Sequence, residues 1–301
     1  MKYLITVIMG ALAGFFARWY MLRRDYRQYP SYPQGWAIHL FLGFIGGLIG
    51  AVIVPSFLEQ EFAAVSFLLL AASQFREVRN AERNTLAAVE STEMVSRGNA
   101  YIEGIARVFE ARNYLAIWVS LAVAITSELL AQFSFPVRII GGLLVACGSA
   151  FVLNRLMQGD YVGDIAQVRL ADLSFEGPIL VVDGVKMMNV GLAQARQVYE
   201  ERGLAAVIAP NGPNTKATLA NLGQMQAIAH DVSAMIGIYM DVGEQEFTPL
   251  VRREPSTGKL VFVMIPSAQD PEAFIAAIKR VPVLEGAVRK PLTSKPGRMM
   301  D

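Results

Sequence analysis

The sequence predicts a membrane α-helical part of about five transmembrane helices, followed by a C-terminal cytoplasmic α/β domain. Three observations carry this prediction. Apolar residues make up 53% of the chain and the mean hydropathy is +0.37, which is too high for an ordinary soluble domain. The long apolar runs lie in residues 1–157. In the remainder, short apolar runs alternate with helical patterns, as expected for a mixed globular domain.

Charge and metal-binding residues exclude several classes of protein. The net charge is +1 over 301 residues, so no basic field favours a nucleic-acid partner. The single cysteine, Cys147, excludes an internal disulfide and a thiolate zinc cluster. The two histidines, His39 and His230, are far apart in the sequence and suit structural roles better than metal ligation. We therefore expect no metal site and no cofactor.

Four apolar runs are long enough to cross a bilayer, which takes about 20 residues. They cover residues 3–22, 36–54, 114–133 and 135–157. A fifth run, 62–75, is short for a crossing, and its length alone also fits a re-entrant segment.

The distribution of arginines favours a crossing by the short run. Three arginines follow the first span and six lie in residues 76–112, whereas the link 56–61 carries only two glutamates. Because arginine-rich loops stay in the cytoplasm, two crossings are expected between them. Five crossings place the N-terminus outside and the C-terminal domain in the cytoplasm. Arg138, at the start of the last span, is the misfit, and we expect it to snorkel to the outer interface.

Pairs of glycines spaced four residues apart recur in the first two spans. On a helix such pairs make smooth faces that allow close backbone contact. They favour packing within the chain, and self-association into a homodimer is the alternative. No row of carboxylates or arginines marks an ion path, so a transporter is disfavoured. The glycine pairs are Gly10 and Gly14, Gly43 and Gly47, and Gly46 and Gly50.

Residues 76–113 form a cytoplasmic segment with two amphipathic helices, broken near Gly98. Glu103 and Arg107 are four residues apart, which suits a surface ion pair, and Glu110 lies on the same side. We interpret the second helix as a coupling element; paired catalytic acids at Glu103 and Glu110 are the disfavoured alternative. Its apolar face carries Ile102, Ile105, Ala106 and Phe109.

The same helix carries a family resemblance. YIEGIA, residues 101–106, is the hexapeptide that names the YIEGIA protein family, and its flanks are similar to that family too. So are PILVVDGVKMMNVGLAQAR at 178–196 and IAPNGPNTKATLANLGQMQAIAHD at 208–231. The resemblance covers nearly the whole chain. It implies an integral membrane protein of endospore-forming Gram-positive bacteria, linked to sporulation, and it carries over no catalytic residues.

The predicted domains follow from these patterns. Transmembrane helices 1–3 lie in residues 1–75, and transmembrane helices 4–5 lie in residues 114–157, with the amphipathic segment between them at 76–113. The α/β domain covers residues 158–287, and a flexible basic tail covers residues 288–301. Within the α/β domain, we predict strands at 179–182, 204–209, 236–240, 247–254 and 259–265, and helices at 189–202, 216–235 and 270–280, with a hairpin turn at 255–258.

The loop 209–219, APNGPNTKATL, is the first candidate binding site. It leaves a strand and opens a helix, where backbone amides bind anions, although the P-loop pattern is absent. The alternative is a turn capped by Asn214 or Thr215. Because ligands gather at the carboxyl ends of strands in open α/β sheets, neighbouring polar residues join the set. The ligand-binding candidates are Lys186, Asn189, Asn211, Asn214, Thr215 and Lys216.

The second candidate is LVVDGV, residues 180–185, where an apolar strand ends in Asp183-Gly184. It is similar to the entry of an aspartic-protease loop, in which two carboxylates share one proton. A five-span protein with such a domain would resemble SpoIIGA-type sporulation proteases in layout. The sequence departs from the protease pattern because Gly184 follows Asp183 directly. A structural Asp-Gly turn is the favoured alternative.

The sequence therefore predicts a sporulation-associated membrane protein whose cytoplasmic α/β domain regulates or binds a protein partner. The alternative is a membrane-anchored, homodimeric protease acting on sporulation proteins, with Asp183 as its weak catalytic candidate. The bilayer is the second expected partner. Whether the chain is an enzyme stays open at this stage.

Overall fold

The chain folds into two compact units. The computed structural model describes residues 2–25, 33–157, 159–241, 244–245 and 247–293. The first unit, here the helical unit, comprises Met1–Asn84 and Ile105–Gln158. The second, here the C-terminal unit, comprises Thr85–Gly104 and Gly159–Asp301. The predicted 76–113 segment is thus shared between the two units.

Six helices form or enter the helical unit, and four of them are long and apolar enough to cross a membrane. Helix α3 has 12 residues and is shorter than a full crossing requires. The helices are α1 (Leu4–Asp25), α2 (Pro33–Leu58), α3 (Phe62–Ser73), α4 (Phe75–Val89), α5 (Asn99–Leu129) and α6 (Phe135–Leu156).

Glycines bring the backbones of α1 and α2 together. A Cβ atom on Gly14 would lie 2.5 Å from the Cα of Gly47, and one on Gly47 would lie 2.6 Å from the carbonyl oxygen of Ala11. Helix α5 is as close, because a Cβ on Gly50 would lie 2.4 Å from the carbonyl oxygen of Ile117. Packing within the chain, the favoured interpretation of the glycine pairs, is confirmed.

Helix directions within this unit follow from matched contacts. Gly10 faces Ala51 and Gly14 faces Gly47, so α1 and α2 are antiparallel. Gly46 faces Asn113 and Gly50 faces Ile117 and Ser120, so α2 and α5 are parallel. A chain that leaves α2 at one end must therefore return before α5 begins.

The returning segment is α3 followed by the first turns of α4. Leu68 and Ala72 of α3 pack in a cluster with apolar residues of α2. Only Gln74 separates the two helices. In α4, Phe75 stacks edge-on against Tyr114 at 5.9 Å, and Arg79 donates a 3.1 Å hydrogen bond to Glu110 one turn earlier in α5. The segment thus runs antiparallel to α5.

Arg138 does not snorkel. Its side chain is buried, and its Nε donates to the Oγ of Ser127 at 2.8 Å. One Nη2 hydrogen bond reaches Glu128 at 2.8 Å and another reaches Thr6. The expected reach to the interface is not seen, because a carboxylate and two hydroxyls within the chain satisfy this buried guanidinium.

The described residues of the C-terminal unit form a four-stranded, a three-stranded and a two-stranded sheet, in the orders β1-β5-β9-β8, β2-β3-β4 and β6-β7. The predicted mixture of helices and strands in this unit is confirmed. Every pairing among the described strands is antiparallel, so the rule that ligands gather at the carboxyl ends of parallel strands does not apply. The strands are β1 (Ala166–Ala171), β2 (Leu173–Glu176), β3 (Ile179–Val182), β4 (Val185–Asn189), β5 (Leu204–Pro210), β6 (Met240–Asp241), β7 (Glu244–Gln245), β8 (Leu250–Arg253) and β9 (Leu260–Met264).

The four-stranded sheet is covered on both faces. Val207 and Val261, which are opposite each other in the register, share a buried core cluster with Leu180 and Val182 of the three-stranded sheet. Phe262 points to the other face, because side chains alternate along a strand, and packs on Phe274 at 5.5 Å. The helices of this unit are α7 (Val162–Ile165), α8 (Ala193–Arg202), α9 (Pro213–Leu219), α10 (Leu222–Ile236) and α11 (Pro271–Lys279).

Several predicted elements change at their boundaries. The predicted helix 189–202 begins only at Ala193, because β4 continues to Asn189. The predicted helix 216–235 is two helices, since Asn221 accepts a hydrogen bond from the Gln224 amide and starts α10 anew. The predicted strand 236–240 is reduced to Met240–Asp241. The 255–258 hairpin turn is confirmed.

The C-terminal tail is held at its start. The amide of Arg289 donates to Thr218 at 3.0 Å, and that of Leu292 donates to Asn214 at 3.2 Å. The predicted flexibility of 288–301 is therefore not seen in 288–293, and residues 294–301 lie outside the described part of the chain.

Candidate coupling site at the signature helix

The signature hexapeptide lies where α5 begins, and its first residues pack in the C-terminal unit. Gly98 precedes the helix with a φ of +79°, a left-handed conformation that favours glycine. A Cβ atom at this position would lie 2.3 Å from the Nε2 of Gln226 in α10. The backbone angle therefore favours glycine here, and a Cβ atom would also displace the end of the Gln226 side chain.

Gln226 caps α5 from another helix. Its Oε1 accepts hydrogen bonds from the amides of Ala100 and Tyr101, both at 3.1 Å. The first amides of a helix have no partner within the helix, so this side chain satisfies two of them. The start of α5 therefore depends on the placement of α10.

Tyr101 provides the second attachment. Its ring is 1% exposed, and its hydroxyl donates to Asp231 Oδ1 at 3.1 Å. His230 lies edge-on to the ring at 6.1 Å, and its Nδ1 is 3.1 Å from the same Asp231 oxygen. We call Gly98, Tyr101, Gln226 and Asp231 the signature site.

An ion-pair network supports the turn before α5. Arg97 contacts Glu93 at 2.8 Å and Glu90 at 3.6 Å. Glu90 Oε2 accepts hydrogen bonds from Ser96 at 2.6 Å and from the Gly98 amide at 3.0 Å. Burial opposes ionisation of Glu90, but these hydrogen bonds and the Arg97 charge outweigh it and lower the Glu90 pKa. The carboxylate therefore stays charged and fixes the loop.

A pocket of about 690 Å³ opens beside the signature site, and all of its lining belongs to the C-terminal unit. Its polar groups are carboxylate, hydroxyl and amide, which suit hydrogen bonding to a polar partner. No cluster of three or more metal-binding side chains occurs within the described ranges. The lining residues are Ala87, Glu90, Ser96, Gly98, Asn99, Ala100, Leu222 and Gln226.

The apolar face predicted for the signature helix is confirmed. All four of its residues are buried: Ile102, Ile105, Ala106 and Phe109. Glu110 pairs with Arg79 of α4, at 3.1 Å, and its side chain is largely buried. Glu103 is half-buried and Arg107 is exposed, one turn apart on α5. Within the signature, Tyr101, Ile102, Ile105 and Ala106 are therefore packing residues.

The predicted ligand loop is tied to its own surroundings. Asn211 donates to the Asp164 carbonyl at 3.3 Å, and Asn214 accepts from Leu292. Thr215 exchanges hydrogen bonds with Gly212, so it caps its own turn. Lys216 donates to the Ser256 carbonyl at 2.9 Å. The geometry favours the capped-turn interpretation over an anion site.

Two other candidates lie on the three-stranded sheet. Lys186 forms an exposed ion pair with Glu176 at 3.1 Å, and Asn189 ends β4 opposite Ile179. The sheet arrangement does not gather these residues with the 209–219 loop at one edge, since they belong to different sheets.

Asp183 lies in a tight hairpin turn and is paired with two cations. Its φ is +50° and that of Gly184 is +77°, as in the two-residue turns that join antiparallel strands. Lys259 and Arg169 each reach its carboxylate at 2.8 Å. Their hydrogen bonds, that of Lys259 first, hold the Asp183 pKa below its ordinary value. When two carboxylates share one proton, the pKa of one of them is raised. The lowered pKa of Asp183 therefore favours the structural turn.

Comparison with known proteins settles the family. The sequence matches the YIEGIA protein family over residues 6–294. The chain belongs to the YIEGIA family. It is also 42% identical over 290 residues to a Bacillus subtilis (strain 168) protein, "Uncharacterized protein YphB", covering 96% of this chain and 95% of that protein. No solved structure matches the chain.

This YIEGIA-family chain also has a buried polar cluster in its helical unit that sequence analysis missed. Arg18 of α1 is fully buried, and its Nη2 lies 2.7 Å from the Nδ1 of His39 in α2. The Phe109 ring stacks edge-on against His39 at 4.6 Å and lies 5.3 Å from the Arg18 guanidinium carbon. The signal was present in the sequence, because Arg18 and His39 each interrupt an apolar run.

Proposed function

We propose that this chain is a multi-pass membrane protein of sporulating cells whose C-terminal unit binds a cytoplasmic protein and whose signature helix couples that unit to the membrane. The observation that carries the proposal is the continuity of α5. The helix starts in the C-terminal unit, up to Gly104, and continues in the helical unit from Ile105. A change in its first turn therefore has a direct covalent route into a candidate membrane span.

The helix directions support five crossings with the N-terminus outside. Helices α2 and α5 are parallel, so one further crossing between them is needed, and α3 with the start of α4 has the required direction. Residues 62–75 would extend roughly 21 Å as helix, shorter than a bilayer core, so a crossing by this segment thins the bilayer locally. The arginine-rich stretch that follows then lies in the cytoplasm, together with the C-terminal unit.

The signature site supports a regulated attachment. At the start of α5, Gln226 accepts a hydrogen bond from the Ala100 amide and Tyr101 donates one to Asp231. An open polar pocket lies beside these bonds. A partner that binds the pocket competes for Gln226 or reorders the loop at Gly98. Such a partner shifts the balance between a capped and an uncapped α5, by the difference of its affinity for the two states.

The sporulation role rests on the family resemblance and on a relative from a Bacillus species. No observation favours the protease alternative, because Asp183 is held ionised between two cations in a hairpin turn.

Photocrosslinking in sporulating cells tests the proposal. A photoreactive amino acid replaces Leu222, which lines the pocket and is 56% exposed, or Leu170, a control that is 45% exposed elsewhere in the same unit. A discrete protein captured from Leu222 but not from Leu170 is the expected result. A deletion strain is expected to form fewer heat-resistant spores. Equal capture at both positions, or unchanged spore counts, would contradict the proposal.

A further inference from the structure

A long apolar groove runs along the helical unit between α1 and α6. Its volume is about 690 Å³, and its lining is almost wholly apolar from Ile5 to Tyr20 on α1. Among the residues that the structure describes, Arg23 is the only charged one that lines it. On α6, small residues such as Ala146 and Ala150 form the facing wall and leave the space open.

The groove has a polar end and an apolar body. Arg23 lies over the Trp19 ring, 4.6 Å from its centroid, and Tyr20 lies between them in the chain. Arg23 is exposed and forms no ion pair with a described carboxylate. An arginine beside tryptophan and tyrosine is the arrangement that meets lipid headgroups at a membrane interface.

We propose that this groove binds a phospholipid with an anionic headgroup, with an acyl chain along Phe16, Ala146 and Ala150 and a phosphate at Arg23. The stretch of α1 from Ile5 to Arg23 extends roughly 27 Å, so an acyl chain fits beneath the headgroup with room to spare. Charge complementarity decides between a lipid and a helix of another chain. An apolar helix would offer no charge to complement Arg23, whereas a phosphate offers one.

The inference rests on the proposed membrane insertion, and the experiment tests that first. Membranes from expressing cells are washed with carbonate, and the full chain is followed by blotting. A chain released into the wash would overturn both the proposed function and this inference. A retained chain supports insertion and leaves the lipid site to the next step.

Native mass spectrometry of the full chain then measures bound lipid, with phosphatidylglycerol and phosphatidylcholine added in turn. The wild type is expected to retain one phosphatidylglycerol, about fivefold more readily than phosphatidylcholine, because the choline cation offsets the phosphate charge that Arg23 would otherwise meet. Arg23→Gln should abolish this preference, and Lys290→Gln, a charge control in the other unit, should keep it. Equal retention of both lipids by the wild type would overturn the assignment.

Filling the groove separates a bound lipid from a bound second copy. Ala146→Phe and Ala150→Leu place bulk in the groove, whereas Leu144→Phe changes an exposed α6 residue that does not line it. The two filling variants should lose the lipid adduct and stay monomeric, while the control keeps it. An adduct that survives both fillings would overturn the site. A wild-type dimer that both fillings dissociate, without any lipid adduct, would show that a second copy occupies the groove.

A second measurement of lipid preference uses the tryptophan in the groove. With Trp36 and Trp118 replaced by phenylalanine, Trp19 reports on the site. Brominated phosphatidylglycerol at low mole fraction should quench Trp19 more strongly than brominated phosphatidylcholine, and Arg23→Gln should remove the difference. Equal quenching by the two lipids would contradict the proposal without depending on a substitution inside the groove.

Discussion

The two ends of α5 are held by different chemistry. At its end, Glu128 and the neighbouring Ser127 are joined to Arg138 and Thr6 in a buried, charged network. At its start, a neutral amide caps the backbone and a tyrosine hydroxyl meets a carboxylate. Breaking a buried ion pair costs more than losing a neutral cap. The turn before the start also has the Arg97 ion pairs, but the cap itself is neutral, so we expect the cap to be released more easily than the network at the end.

The largest expected effect is at the charged network at the end of α5. Arg138→Met leaves Glu128 buried without its cation, which we expect to lower the free energy of unfolding by about 3–5 kcal/mol. Steric trapping or denaturation in micelles would measure it. The double variant Arg138→Met with Glu128→Met removes both charges and should recover most of the loss. A loss below about 1 kcal/mol in the single variant would remove the distinction between the two ends.

The next effect is at Gly98. Gly98→Ala meets both a left-handed backbone and the Gln226 side chain, so we expect a loss of about 2–4 kcal/mol and release of the α5 cap. Gly177→Ala is the matched control, because its φ is +62° but nothing lies within 4 Å of the added Cβ. Hydrogen exchange at Ala100 and Tyr101 should rise only in the first variant. An equal rise in exchange in both variants would mean that backbone strain, and not the contact with Gln226, accounts for the effect of Gly98→Ala.

Tyr101→Phe tests the second attachment at the start of α5. The change leaves Asp231 without its hydroxyl donor, and we expect a loss of about 1–3 kcal/mol. Tyr199 is also 1% exposed, but among described residues its hydroxyl contacts only the Met188 sulfur, at 3.7 Å. Tyr199→Phe should therefore cost less. Thermal unfolding of the full chain measures both, and the reverse order would contradict the role of the signature tyrosine.

The smallest effect is at Asp183. The Asp183 pKa is below its ordinary value. The stability that the carboxylate contributes is therefore present above the unfolded pKa of about 3.9 and is lost as pH falls through the folded pKa. Because water partly hydrates the ion pairs of Asp183 with Arg169 and Lys259, we expect Asp183→Asn to lower the free energy of unfolding by less than about 1 kcal/mol at neutral pH. Asp172→Asn is the surface control.

The protease alternative has a separate readout at the same residue. N-terminal peptide profiles of sporulating cells should be the same for the wild type and for Asp183→Asn. New N-termini that appear in the wild type and are absent from the variant would revive the protease and make Asp183 part of its site.

Local patterns predicted the parts of the fold that depend on neighbouring residues. The apolar face of α5, the glycine contacts and the strands β3 and β9 follow from spacing alone. The signature site did not, because Gln226 and Tyr101 are 125 residues apart and neither is unusual in its own segment. The ligand loop was overinterpreted, since Asn214 and Lys216 find partners in the tail and in the β8–β9 hairpin that sequence spacing does not reveal.

The contact between Gly14 and Gly47 has a consequence for how the protein is made. These two helices are consecutive, and their tightest contacts need no residue that is translated later. We therefore expect them to dock as a helical hairpin while the ribosome is still synthesising the rest of the chain. The signature helix, which arrives later, then meets an assembled surface, so its partner in the bundle exists before the domain that caps it has folded.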